Sequence, residues 1–279
     1  GYDLVTPTDW LVAEWIRKGY AAQIDSANVP NKKNLLPNLA DVEFDPGREY
    51  SLTWQSGFGG LAWNKEMVPN GLRTVEDLWA PELAGKVVVL SEMRDTVGLI
   101  MMSQGVRIDE PFTSEQFNAA LDVLQQQVDS GQVKQVKGNS YANDLRNGQA
   151  YAAIGWSGDI FALNSETGDK FEFALPDTGG TLWSDNLVIP STATNKAGAE
   201  ALMNFYYDPK NAAEVAAYVN YVCPVKGAQE EMRKIDPKLA ESEWIFPTDE
   251  ILSQSQVFRP LTPEETAEYS ESFGRVIQG

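Results

Sequence analysis

The chain contains no histidine and a single cysteine, Cys223, in 279 residues. A Ser-His-Asp or Cys-His hydrolase cannot be assembled from it, nor a zinc site built on imidazoles or several thiolates. No disulfide can form within the chain, so cysteine usage is silent about redox compartment. Basic residues are scarce as well: 22 Lys and Arg stand against 40 Asp and Glu, a net charge of −18. Such a field repels nucleic acid and anionic membrane surfaces and steers cationic ligands inward, although it would equally serve to keep an exported protein soluble. Long apolar runs are missing, so no segment approaches the length needed to span a bilayer, and no signal peptide is visible. The first residue is Gly1 rather than Met, as expected of a processed or truncated product. What is present is an ordinary globular composition, 43% hydrophobic, with enough core for one large domain or two smaller lobes.

In chain order, Tyr2 to Val5 reads as a strand ending at Pro7, and Thr8 and Asp9 then cap a helix. Trp10, Leu11, Trp15 and Ile16 fall at helical spacing, and Gly19 stops it. Residues 22 to 48 read as surface connection, with Leu35, Leu36 and Leu39 docking a short helix. A strand from Tyr50 to Trp54 leads through Gln55-Ser56-Gly57-Phe58-Gly59-Gly60, where the chain can bend, to a second strand at Leu61 to Trp63. The glycines lack the Lys and Ser/Thr of a phosphate-binding loop. Lys86 to Leu90 is the clearest buried strand, and Ser91 to Val97 starts a helix. There Glu92 and Asp95, three residues apart, share a face; acids in a first helical turn also serve as ordinary caps. Ser114 to Gln127 is an amphipathic helix, Tyr141 to Asn147 a short one, and Ala150 to Ile154 a strand that delivers Trp156 and Asp159. Lys196 to Tyr207 and Asn211 to Tyr218 are helices broken at Asp208-Pro209, with Tyr206 and Tyr207 read as core rather than as a ferric site. Thr262-Pro263-Glu264-Glu265 starts the last helix.

The most informative stretch is Gly179-Gly180-Thr181-Leu182-Trp183-Ser184-Asp185-Asn186-Leu187-Val188-Ile189-Pro190. Leu187 to Ile189 has the β-branched character of a buried strand. If the segment is extended, Trp183 and Asp185 point the same way. An aromatic face beside a carboxylate suits an organic cation, and a core Trp with a strand-end Asp is the plain alternative. Strands alternating with helices imply an α/β protein with largely parallel sheets, whose ligand sites lie at the carboxyl ends of strands. Thr8 and Trp10, Glu92 and Asp95, Trp156 and Asp159, and Trp183 and Asp185 each follow a predicted strand.

These segments, in this order and spacing, resemble the polyamine-binding (spermidine/putrescine) proteins of bacterial ABC importers, in the type II periplasmic-binding-protein class. The likeness rests on Tyr2-Asp3-Leu4-Val5-Thr6-Pro7-Thr8, on Tyr141 to Leu145 through Gly155 to Asp159, on Trp183-x-Asp185, and on Asn204 to Pro224. The resemblance implies an α/β, two-lobed fold with hinge strands. Lobe 1 would comprise 1–55 and 185–229, lobe 2 would comprise 56–184 and 230–279, and the N-terminal lobe would lack the family's first strand-helix-strand. It further implies closure of the lobes on a linear polyamine by hinge motion near Trp54 to Gly57, Trp183 to Asp185 and the segment after Tyr221. By resemblance Asp185 holds an amino group, Trp183 and Trp156 sandwich the methylene chain, and Glu92 and Asp95 take an amino end. Thr8 and Trp10 line the first lobe's wall, and Tyr221 adds a phenol. Asp159 matches the putrescine-preferring relatives and the bulky Trp10 and Trp183 the spermidine side, so the selectivity signal is mixed.

The expectation is therefore a periplasmic or cell-surface receptor, exported and open to lipid anchoring before Gly1. It would act as a monomer without enzymatic activity, metal, cofactor or nucleic acid, and would serve a membrane permease and ATPase. The rival readings are a same-fold protein for another organic amine or a metal cation, and a glycoside hydrolase using aromatic platforms and paired carboxylates.

Overall fold

Ser51–Asn64 forms one continuous strand, β1, of 14 residues in the computed structural model, which describes residues 1–278. Two strands and a bend were expected here. Its glycines serve close approach, since side chains fill the space their missing Cβ atoms leave: Trp183 and Tyr221 at Gly57, Asp95 and Thr181 at Gly59, and Phe173 at Gly60. Before β1 come helices α1 (Asp9–Lys18) and α2 (Pro37–Ala40); after it come β2 (Val87–Leu90), α3 (Met93–Ser103), α4 (Ser114–Asp129) and β3 (Val133–Lys137). The chain continues through α5 (Tyr141–Arg146), β4 (Ala152–Trp156), α6 (Ser157–Thr167), β5 (Phe171–Ala174) and β6 (Gly180–Val188). It ends with α7 (Lys196–Tyr206), α8 (Pro209–Val219), α9 (Ala228–Ile235), α10 (Pro237–Ala240), α11 (Asp249–Ser253), β7 (Ser255–Gln256) and α12 (Pro263–Gln278). The expected strand at Tyr2 to Val5 is absent; that segment makes one isolated bridge, Val5 to Val188, and Thr8 beyond it makes another with Asp185.

Two compact units divide the chain, Gly1–Gly57 with Trp183–Thr248, and Phe58–Leu182 with Asp249–Gly279. Residues 230–248, expected in the second lobe, belong to the first unit, because Met232, Ala240 and Ile245 bury themselves in its core. That core gathers Leu52 of β1, Leu187 and Ile189, Met203, Tyr206 and Tyr207 of α7 and its C-cap, and Ala212, Ala213 and Ala216 of α8. The alanine stripe lets α9 approach α8 closely. Both tyrosines are core, as the helical spacing predicts: the Tyr207 hydroxyl donates to Thr53 O at 2.7 Å, and that of Tyr206 to Trp54 O. Cys223 is buried beside them, and burial pushes its thiol up to about 12, which leaves it unreactive.

Glu200, on α7 and 1% exposed, ties down the 25–28 turn of this unit. It accepts from the Asp25 amide at 2.8 Å and the Asn28 side chain at 2.7 Å, with Lys196 at 3.4 Å. Burial alone would push its carboxyl up, but these donors outweigh burial and hold its pKa below the ordinary 4.5. A depressed folded pKa stabilises fully above the unfolded value and ceases to stabilise as pH falls through the folded one. Glu200→Gln, which sets an amide against donors, is expected to cost about 1–3 kcal/mol at pH 7. The cost should shrink at the acid end of the folding range. Urea titrations at the two pH values check this, and an equal loss at both would refute it.

The strand order is β3-β2-β4-β1-β6-β7 with β5 also on β1, and β2 to β5, β7, residues 58–64 of β1 and residues 180–182 of β6 belong to the second unit. The sheet is mixed rather than largely parallel: β2 runs parallel to β3 and β4, but β1 is antiparallel to both β4 and β5. Val87 to Leu90 are wholly buried, as their unbroken apolar run requires. The last helix docks on α4 through Phe117 and Tyr269, whose rings stack 4.0 Å apart at 9°. It begins at the predicted signal, with Thr262 and Glu265 exchanging a capping pair of hydrogen bonds. Among the described residues no helix is long and apolar enough to cross a membrane.

Candidate functional site

The nine candidate residues fall into two sets: Thr8, Trp10, Trp183, Asp185 and Tyr221 in the first unit, and Glu92, Asp95, Trp156 and Asp159 in the second. In the second unit β2 and β4 run parallel, so the residues that follow them emerge at one end of the sheet. Glu92 caps α3, its carboxylate accepting from the Arg94 amide at 3.3 Å, with the Arg94 guanidinium at 3.7 Å. It therefore precedes the helix and does not share a helical face with Asp95. Asp95 lies in the first turn of α3, 4% exposed. One of its oxygens accepts from the Thr181 hydroxyl and the other from the Trp156 indole N–H at 2.7 Å. Asp95 thus fixes the plane of the Trp156 ring.

Tyr141 holds Trp156 from the other side. Its buried hydroxyl accepts the Trp156 backbone N–H at 2.8 Å, and its ring meets the indole edge-on with centroids 6.0 Å apart at 78°. Gly155 permits this approach, since a Cβ there would lie 2.7 Å from the Tyr141 ring. Burial, and next the neighbouring Asp159 carboxylate, push the phenol well above its ordinary pKa, so it stays a hydroxyl donor. Asp159 stands in the first turn of α6, where the helix dipole favours its charge. Tyr141→Phe keeps the ring but orphans the Trp156 amide. The expected loss is about 1–3 kcal/mol of stability, with the Trp156 fluorescence shifted; denaturant titration and emission spectra check it, and an unchanged protein would refute the clamp.

In the first unit β6 carries Trp183 and Asp185 on one face, as the extended reading requires. Ser56 and Val222 exchange backbone hydrogen bonds, N to O at 3.3 Å and 2.8 Å, which straps the segment after Tyr221 onto β1. The Trp183 and Tyr221 rings consequently meet, centroids 5.3 Å apart at 64°, over the bare backbone of Gly57. The strand here is pinned by side chains: the Ser56 hydroxyl donates to Trp183 O at 2.7 Å and meets the Ser184 hydroxyl, and the Ser184 N–H donates to Asp9 at 3.3 Å. Thr8 pairs by backbone with Asp185, and Trp10 is the second residue of α1, its N–H donating to Asp9 at 2.7 Å. The Thr8 hydroxyl does not cap the helix; the Asp9 carboxylate fills that place.

Both sets thus couple indole rings to carboxylates, an arrangement suited to binding and orienting a cationic, partly apolar solute. Among the described residues no group of three or more His, Cys, Asp or Glu is placed to hold a metal ion. Residues 2–247 match the family described as bacterial extracellular solute-binding protein. The chain belongs to that family. This solute-binding protein is 26% identical over 279 residues to the spermidine/putrescine-binding periplasmic protein of Salmonella typhimurium, covering 100% of the chain and 78% of that relative. It is 29% identical over 259 residues to the spermidine/putrescine-binding periplasmic protein 1 of Haemophilus influenzae, covering 91% and 69%. A solved structure from Listeria monocytogenes, provisionally described as a spermidine/putrescine ABC transporter, superposes with a TM-score of 0.89 at 29% identity, covering 99% of this chain and 83% of that one.

Residue-level reading of this solute-binding protein missed Asp9, Thr181, Tyr141 and Ser56 as parts of the two sets. Thr181 precedes Trp183 by two, the same strand parity, and that signal was available. Tyr141 and Ser56 carry no local signal, because only the folded strands bring them to their partners.

Proposed function

We propose that this solute-binding protein captures a linear polyamine, spermidine or putrescine, in the periplasm or at the cell surface. It then hands the polyamine to the permease and ATPase of an ABC importer. It acts as a monomer, by binding and not by catalysis. The observation that carries this reading is the Trp183 and Tyr221 pair over Gly57 with Asp185 on the same face of β6. An ammonium group is drawn to an indole face by about 0.5–2 kcal/mol and pairs with a carboxylate at the same time, while methylenes need apolar cover. Trp156 and Asp159 repeat the combination in the second unit. Asp95 serves there chiefly to hold the Trp156 ring, and Glu92, with Arg94 beside it, contributes less charge than a free acid. The names of the relatives point the same way.

Calorimetric titration with spermidine and putrescine tests the reading. Saturable binding of either amine, weakened by salt as expected of a protein carrying −18, is the expected result. A folded protein that gives no heat with either amine, or one that releases reducing sugar from an oligosaccharide, would overturn it.

A further inference from the structure

Arg48 is the largest fully buried side chain of the molecule, 1% exposed. Four of its five donors meet neutral oxygens: Nε donates to Leu39 O at 2.7 Å, Nη1 to Ser51 Oγ at 3.2 Å and Asn186 Oδ1 at 3.0 Å, and Nη2 to Thr53 Oγ1 at 2.9 Å. Arg48 also sits at φ 54°, in the left-handed region that non-glycine residues avoid, directly after Gly47 at φ 72°. Asp45 and Asp9 act on the guanidinium only through space, and burying it without a hydrogen-bonded carboxylate is costly, so that an apolar side chain of similar volume would fill the space more cheaply. Backbone strain at the same residue adds to that cost. What an apolar side chain could not do is tie β1, through Ser51 and Thr53, to β6 through Asn186.

Asn186, itself fully buried, follows Asp185. With Arg48 on its Oδ1, its amide can face only one way, and Nδ2 then donates to Ser184 O at 3.0 Å. Its backbone N–H donates to Pro7 O at 2.9 Å. Ser184 in turn reaches Asp9 and Ser56, and Ser56 holds Trp183 O. The polar network that sets the backbone from Trp183 to Asn186 therefore ends on Arg48. We propose that Arg48, acting through Asn186, is the positioning residue that presents Trp183 and Asp185 to the ligand. The inference rests on the polyamine reading above.

The sign of the effect separates this role from a purely electrostatic one. A cation behind an acid-bearing wall opposes binding of a second cation, so removing it would on charge alone tighten polyamine binding. Positioning predicts the reverse. Arg48→Lys keeps the charge but not the planar fork, and is expected to weaken spermidine or putrescine binding by roughly tenfold or more, the scale of one buried hydrogen bond. Asn186→Asp gives Arg48 an ion-pair partner and preserves volume but deletes the donor to Ser184; it is expected to fold and to bind roughly tenfold more weakly despite its added negative charge. Combining the two should be no worse than the weaker single variant, since both break one chain of bonds.

The experiment is calorimetric titration of the parent and the three variants with both amines, with melting curves. Hydrogen exchange of the amine-free proteins completes it, and faster exchange is expected confined to the 183–187 amides. Unchanged or tighter binding by the folded fraction of both single variants, or exchange accelerated evenly through the first unit, would overturn the inference. If the parent binds neither amine the polyamine reading fails, and the proposal, which names the ligand it serves, falls with it. The exchange data then report whether Arg48 sets the Trp183–Asn186 backbone at all.

Discussion

Asp185→Ala is expected to weaken spermidine and putrescine binding by roughly 30- to 1,000-fold. Removing the carboxylate from a hydrogen-bonded ammonium pair costs about 2–4 kcal/mol, and each 1.4 kcal/mol is tenfold. Asp185 is half-buried and its pairing with Thr8, which runs through backbone, survives the change. Melting temperature without ligand is therefore expected to move little, while the ligand-induced rise in melting temperature disappears. Asp185→Asn should fall between, since it keeps an acceptor and loses the charge. Binding within threefold of the parent would remove Asp185 from the site.

Gly57→Val is expected to abolish measurable polyamine binding although it touches no charged group. A Cβ at this position would lie 2.4 Å from Cζ2 of Trp183 and 2.8 Å from Cδ1 of Tyr221, closer than any real contact. The backbone on both sides is held by the strand ladder and by the Ser56 to Val222 bonds, so the rings must give way. Trp183 then leaves the position it shares with Asp185, and overpacking adds about 1–3 kcal/mol of destabilisation. Titration calorimetry with near-ultraviolet circular dichroism checks both parts. Parental affinity with an unchanged aromatic spectrum would show that the rings are free to move and that their position over Gly57 is unimportant.

Elements with strong local signals were legible in the chain. The first helix ends at Gly19 in the left-handed conformation that its C-cap demands, α4 starts and stops where its apolar period does, and Val87 to Leu90 is the buried strand that its composition announces. The glycines of β1 misled, because glycine signals a bend and a close approach equally well, and only the distant Trp183, Thr181 and Phe173 decide between them. Tyr2 to Val5 failed as a strand for a similar reason: propensity was adequate, but only one isolated bridge forms there. Of the site, the indole-carboxylate spacing of Trp183 and Asp185 was visible locally. The support for it was not, since the bonds from Arg48 to Asn186 and from Thr181 to Asp95 join residues far apart in the chain. Family likeness supplied the assignment of roles, which no spacing rule could.

The discontinuity of the first unit has a consequence for how the molecule is made. Leu52 and Leu187 share one core, yet residues 58–182 are synthesised between them. At about 5–20 residues per second the ribosome needs on the order of ten seconds for that insert. Throughout this interval the first 57 residues have none of the α7 and α8 surface on which they come to rest. Loop closure over so long a segment is slow in any case, and the early residues of this unit therefore remain available to chaperones until Ile245 has emerged, while the second unit waits in turn for Tyr269 and Phe273 of its last helix.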